Sequence, residues 1–128
     1  MVKKLYTDKH AKAGLKDKLP QIDVFLNSFK KYEIEIIIPE FTSVCPRTNL
    51  PDFGKITIKY VPNKTCIELK SLKLYITAYR NLGIFSENAV NRILGDLVSA
   101  CKPKKATVTG EFNARGGILI SVAAKYPR

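Results

Sequence analysis

"CIELKSLKLYITAYRNLG", residues 66–83, is where the hydrophobic pattern of this 128-residue chain changes period. From Leu69 to about Leu82, the residues Leu72, Tyr75, Ile76 and Tyr79 recur three or four apart, with Lys70, Lys73 and Arg80 elsewhere, and Gly83 closes the run. That spacing gathers the apolar side chains into one stripe of a helix, and glycine accepts the left-handed conformation in which helices commonly end. The stretches upstream repeat every two residues. "KYEIEIIIPE" sets Tyr32, Ile34 and Ile36 against Glu33, Glu35 and Ile37, a strand expected to end at Pro39, which has no N–H to give a ladder. "GKITIKYVP" alternates Ile56, Ile58 and Tyr60 with Lys55, Thr57 and Lys59. "PNK" then turns the chain and "TCIEL" briefly resumes strand character.

Downstream, Ser86 is expected to cap a second helix, with Glu87 beside the positive end of its dipole and Val90, Ile93, Leu94, Leu97 and Val98 along one face. Pro103 in "CKPKK" stops it. Two strands follow, "ATVTGEF" and "GILISVAAKY", joined by "NARGG". Two strands, two helices and two strands describe an α+β domain, an antiparallel four-stranded sheet with both helices layered on it. The segment "QIDVFLNSF", after Pro20, carries only isolated apolar residues. A four-stranded sheet has two edges, and strands this apolar invite pairing with other chains, so a homo-oligomer is expected.

The length suits one core, placed in residues 20–128. Residues 3 to 18 carry six lysines against Asp8 and Asp17, which reads as a basic, mobile arm over residues 1–19. The net charge of +11 favours phosphate-bearing partners: a nucleotide, a phosphorylated cofactor or RNA. No run is long and apolar enough to span a bilayer and the start lacks a secretory pattern, so a cytoplasmic protein is expected. The three cysteines are widely spaced and His10 is the single histidine, which argues against both a disulfide framework and a structural metal.

Two short stretches carry candidate chemistry. In "FTSVCPRTNLPDF", residues 41–53, Cys45 precedes the rigid and cationic pair Pro46-Arg47, a setting that favours thiolate, and Asp52 lies near enough in sequence to fold back and relay a proton. The same residues also suit a buried thiol and a turn aspartate. In "CIELKSLKLY", Glu68 sits where strand gives way to helix, and Lys70 and Lys73 share a helix face on which they can grip phosphate or simply meet solvent. Glu87 in "FSEN" can accept the N–H groups of a heterocycle, or serve its helix alone. "NARGG" offers Arg115 and backbone donors for an anion, or an ordinary tight turn.

Taken in order, "PEFTSVCPRTNLPDF", "CIELKSLKLY", "YRNLGIFSENAVNRIL", "LVSACKP" and "GEFNARGGI" resemble the short, single-domain form of the QueF family of 7-cyano-7-deazaguanine reductases, from about Pro20 to Tyr126. The resemblance implies a tunnelling fold whose sheets join between subunits into a barrel, as stacked pentamers with intersubunit sites. It implies NADPH-dependent conversion of a deazapurine nitrile to a primary amine, on the route to the tRNA nucleoside queuosine, with no direct contact to nucleic acid. Cys45 then matches the nucleophile that forms a thioimide and Asp52 the proton donor. Ile67, Glu68, Leu69, Ser86 and Glu87 match the substrate-binding positions. Lys70, Ser71 and Lys73 match the NADPH motif, and Arg115 is carried to cofactor phosphate from the position of "RGG". Ser86 stands where many members have histidine, which leaves proton transfer to Asp52 or water. Two other readings fit the same fold: an archaeosine-type amidinotransferase adding ammonia to the nitrile in tRNA, and a non-catalytic protein that binds a purine or pterin. The intact "ELKSLKLY" speaks against the first, and the retention of both Cys45 and Asp52 against the second.

Overall fold

The computed structural model describes residues 7–128. After a short helix α1 (Asp8–Lys12) come strands β1 (Val24–Leu26), β2 (Ile34–Val44), β3 (Pro51–Val61) and β4 (Thr65–Ile67). Helix α2 (Leu69–Thr77) runs into a 3₁₀ turn (Ala78–Asn81), and helix α3 (Ser86–Cys101) and strands β5 (Lys105–Arg115) and β6 (Ile118–Tyr126) complete the chain. Four strands form one antiparallel sheet in the order β2-β3-β5-β6, and the helices lie on one of its faces, as the pattern predicted. β4 leaves that sheet to pair with β1, Val24 opposite Ile67, in a two-stranded ribbon that the isolated apolar residues of 20–29 did not announce.

The period of two in β3 sends Asp52, Gly54, Ile56, Ile58 and Tyr60 to the helix-covered face and leaves the alternate residues more exposed. Ile56, Ile58, Val90, Ile93 and Leu97 are fully buried, each contributing roughly 1.5–3 kcal/mol relative to exposure. Close approach of α3 to β5 requires Gly110, where a Cβ would stand 2.6 Å from Val90 Cγ2. A buried chain of hydroxyls, Tyr79 to Tyr75 (2.7 Å) to Asp96 (2.5 Å), ties the 3₁₀ turn, α2 and α3 together. Tyr60 receives the N–H of Ile67 at 3.0 Å and so joins sheet to ribbon.

Two expectations are corrected. Pro39 does not end β2, because β2 is an edge strand and Pro39 sits in a bulge between Ile38 and Phe41, where no ladder N–H is missed. Ser86 is the first helical residue of α3 and not its cap, since the chain stays extended through Phe85 while Gly83 and Ile84 run beside Val44. Part of the segment read as a basic arm touches α3. Residues 1–6 lie outside the described residues, but Asn88 donates to the carbonyl of Ala11 at 2.7 Å, and Arg92 donates to the carbonyls of Gly14 and Asp17. Gly14 has φ +79° and leaves no space for a Cβ against the Gly83 carbonyl and Ile84.

Candidate active site

Cys45 and Asp52 sit at the two ends of one hairpin loop. β2 and β3 pair as far as Val44 opposite Pro51, and the loop between them is closed by Cys45 N–H to Leu50 C=O and Asn49 N–H to Cys45 C=O, both 2.9 Å. The segment after the 3₁₀ turn clamps the strand end: Val44 N–H donates to Leu82 at 3.1 Å, and Ile84 N–H donates to Val44 at 2.9 Å. Position 45 is therefore fixed on both sides, and Glu87 stands in the first turn of α3, three residues beyond Ile84.

The thiol of Cys45 is 7% exposed, and burial opposes its ionisation. That penalty is outweighed by the Thr48 hydroxyl, the N–H groups of Thr48 and Arg47 and the charge of Arg115, so the thiol titrates below its ordinary range. Pro46 turns the chain so that these donors follow the sulfur in sequence. Asp52 is equally buried at 7%, and Arg115 Nη1 donates to its Oδ1 as an ion pair. Ser43, opposite Asp52 in the ladder, is 0% exposed, and its Oγ has no hydrogen-bond partner among the described residues.

The structure thus brings Cys45, Asp52 and Arg115 together, with Ser86 and Glu87 on the element adjoining them. Arg115, expected on cofactor phosphate, is paired with Asp52 here, because the β5–β6 hairpin places it across from β3. The remaining expected residues surround the start of α2, and two of them make contacts that hold the fold together. The hydroxyl of Ser71 is buried and doubly used, accepting from Asp23 N–H and donating to Glu68 C=O, each at 2.8 Å, so it fastens the ribbon to the helix. The side chain of Ile67 is 3% exposed and packs in the core. Glu68 caps α2, accepting from the N–H groups of Lys70 and Ser71 at 2.8 Å. These bonds, that from Lys70 foremost, lower its pKa.

Leu69, Lys70 and Lys73 are exposed. Leu69 and Lys73 line a groove of about 360 Å³ between α2 and β2, with Ile37 and Ile76 among its apolar walls and Arg80 at its end. A second groove of about 350 Å³ shares Arg80 and Pro39 with the first and continues along Phe53 and Asn113, next in their strands to the Asp52 and Arg115 region. Arg80 was missed in the sequence as a site residue, although it belongs to the same helical stretch as Lys73. No acid pairs with either cation among the described residues, while Glu40 lines both grooves. A larger cavity, about 810 Å³ between residues 19–24 and the two longer helices, includes none of these groups. The thiol and its donors, not the cavity volume, define the site. No group of His, Cys, Asp or Glu among the described residues is arranged to hold a metal, and no helix is long and apolar enough to cross a membrane.

A model of the family described as QueF-like protein matches residues 51–128. The NADPH-dependent 7-cyano-7-deazaguanine reductase of Elusimicrobium minutum is 56% identical over 124 residues, 96% of this chain and 94% of its own. That of Chlorobaculum tepidum is 61% identical over 109 residues, 84% of this chain and 93% of its own. Among solved structures, an archaeosine synthase QueF-Like in the apo form superposes with a TM-score of 0.70, covering 76% of this chain and 95% of that one at 21% identity. The last likeness is one of fold, and it agrees with the tunnelling fold expected from the sequence.

Proposed function

The chain belongs to the QueF-like protein family, and on that premise we propose that it reduces the nitrile of 7-cyano-7-deazaguanine to the primary amine of 7-aminomethyl-7-deazaguanine, using two NADPH, in the cytoplasm. The product belongs to the route to queuosine. The observation that carries this reading is the buried Cys45 thiol, held among N–H and hydroxyl donors on the same hairpin as a buried carboxyl.

A nitrile carbon accepts hydride poorly until its triple bond is weakened and its nitrogen can take a proton. Cys45 Sγ bonds to that carbon as Asp52 gives a proton to the nitrogen, and the product is a thioimide. Glu87, with Ser86 beside it, accepts the N–H groups of the deazapurine and fixes the face presented to sulfur. When bound, NADPH supplies hydride to the former nitrile carbon, first at the thioimide and again at the imine left after the thiolate departs. Lys73 from the motif and Arg80 supply cations beside an apolar wall, with Lys70 exposed on the same helix, a donor set that fits a phosphate-bearing nicotinamide cofactor. Open edges at β2 and β6 allow the sheet to continue into other copies, giving the barrel of stacked pentamers with sites between subunits.

The test is to mix protein, the free nitrile base and NADPH and follow the nicotinamide absorbance. Loss of two equivalents per amine formed is expected. Ammonia incorporation into nitrile-bearing tRNA without NADPH oxidation would instead assign the amidinotransferase reaction.

A further inference from the structure

Ser43 presents a buried hydroxyl with no partner on the rung of the ladder that holds Asp52, two residues before Cys45. An unsatisfied buried hydroxyl costs roughly 1–3 kcal/mol, and alanine would remove the cost with little change in shape. Opposed residues in an antiparallel pair carry their side chains on the same face with Cβ atoms about 4.5–5.5 Å apart. The carboxyl within reach of that hydroxyl is therefore the one assigned to protonate the nitrile nitrogen. In the structure that carboxyl is held by Arg115. An acid must carry its proton when it acts, and a carboxylate tied to a guanidinium does not, so the pair has to loosen during turnover.

We propose that Ser43 is a positioning residue for Asp52, a conclusion that rests on the reductase reading. As Arg115 withdraws, the Asp52 carboxylate takes a proton from solvent water, and the Ser43 hydroxyl donates to its other oxygen, leaving the proton-bearing oxygen directed at the nitrile nitrogen. The proton then passes to nitrogen as the bond from Cys45 Sγ to carbon forms, and Asp52 is left as carboxylate for Arg115 to take up again. Beyond the withdrawal of the Arg115 side chain, rotation about the Ser43 side chain suffices, with no movement of the backbone ladder.

The experiment combines thermal unfolding with a kinetic cycle on Ser43→Ala, Asp52→Asn and the double variant. Ser43→Ala is expected to melt no lower than wild type while kcat falls about tenfold, the value of one ordinary hydrogen bond, with the KM for the nitrile within about twofold. In the Asp52→Asn background, Ser43→Ala is expected to cost nothing further, because the group it positions is gone. Turnover by wild type is the control for the function itself. An unchanged kcat in Ser43→Ala, the same loss in both backgrounds, or a lowered melting temperature would each overturn the role of Ser43 while leaving the reductase reading intact.

Discussion

Arg115, at the end of β5, is ion-paired with Asp52 on the core face of β3, 63 residues away in sequence. The same guanidinium contributes to the lowered pKa of Cys45, so one cation serves both candidate groups. Removing it leaves the thiolate with fewer stabilising charges. Arg115→Ala is therefore predicted to move the pH midpoint of Cys45 alkylation by iodoacetamide upward, slowing the reaction at neutral pH, with Arg115→Lys in between. A midpoint unmoved by Arg115→Ala would dissociate the cation from the thiol.

Ser71 belongs to the family motif yet serves the fold. Ser71→Ala is predicted to lower unfolding free energy by about 1–2 kcal/mol through the loss of the Asp23 and Glu68 bonds, while the KM for NADPH below the melting transition stays near wild type. A selective rise in that KM without loss of stability would return Ser71 to the cofactor.

For Lys73 and Arg80 the opposite pattern is expected. Both are exposed and without an acidic partner among the described residues, so Lys73→Ala and Arg80→Ala should leave the melting temperature nearly unchanged and raise the KM for NADPH about tenfold or more each, as the loss of a charge-assisted contact does. Binding of 2′,5′-ADP to the protein alone, measured calorimetrically, should weaken in parallel.

At alkaline pH the fold itself should fail. Burial pushes the Tyr60 phenol up to about 12, and burial likewise raises Tyr75 and Tyr79. The folded state prefers the neutral phenol, so this contribution is fully present below the ordinary value of about 10 and is lost as pH rises through about 12. Phenolate absorbance and circular dichroism followed together should show these tyrosines ionising only as the chain unfolds. Early ionisation of all six tyrosines with the fold intact would contradict the packing described.

Much of the domain is legible in local pattern because one-sided burial imposes it. The two-residue period of "GKITIKY" and the three-to-four spacing of Leu72, Tyr75, Ile76 and Tyr79 report which faces meet the core. β1 was not legible because its three residues are all exposed and their pairing with β4 is fixed by register across forty intervening residues. The reach of β2 past Pro39 depends on its being an edge, which no residue of β2 reveals. Cys45 and Asp52 stand out within one short loop, whereas the partnership of Asp52 with Arg115 and the orphaned hydroxyl of Ser43 arise only when the strands are laid side by side. Motif residues also conceal their work: Ser71 and Ile67 hold α2 and the ribbon in place beside residues that remain available to ligands.

The central claim is a transient bond between Cys45 sulfur and the nitrile carbon. Intact-mass measurement of the protein with 7-cyano-7-deazaguanine and no NADPH should show a gain equal to one ligand, located on Cys45 by peptide mapping, absent in Cys45→Ala and lost when NADPH is added. Full nitrile reduction by Cys45→Ala, or an adduct confined to Cys66 or Cys101, would contradict it.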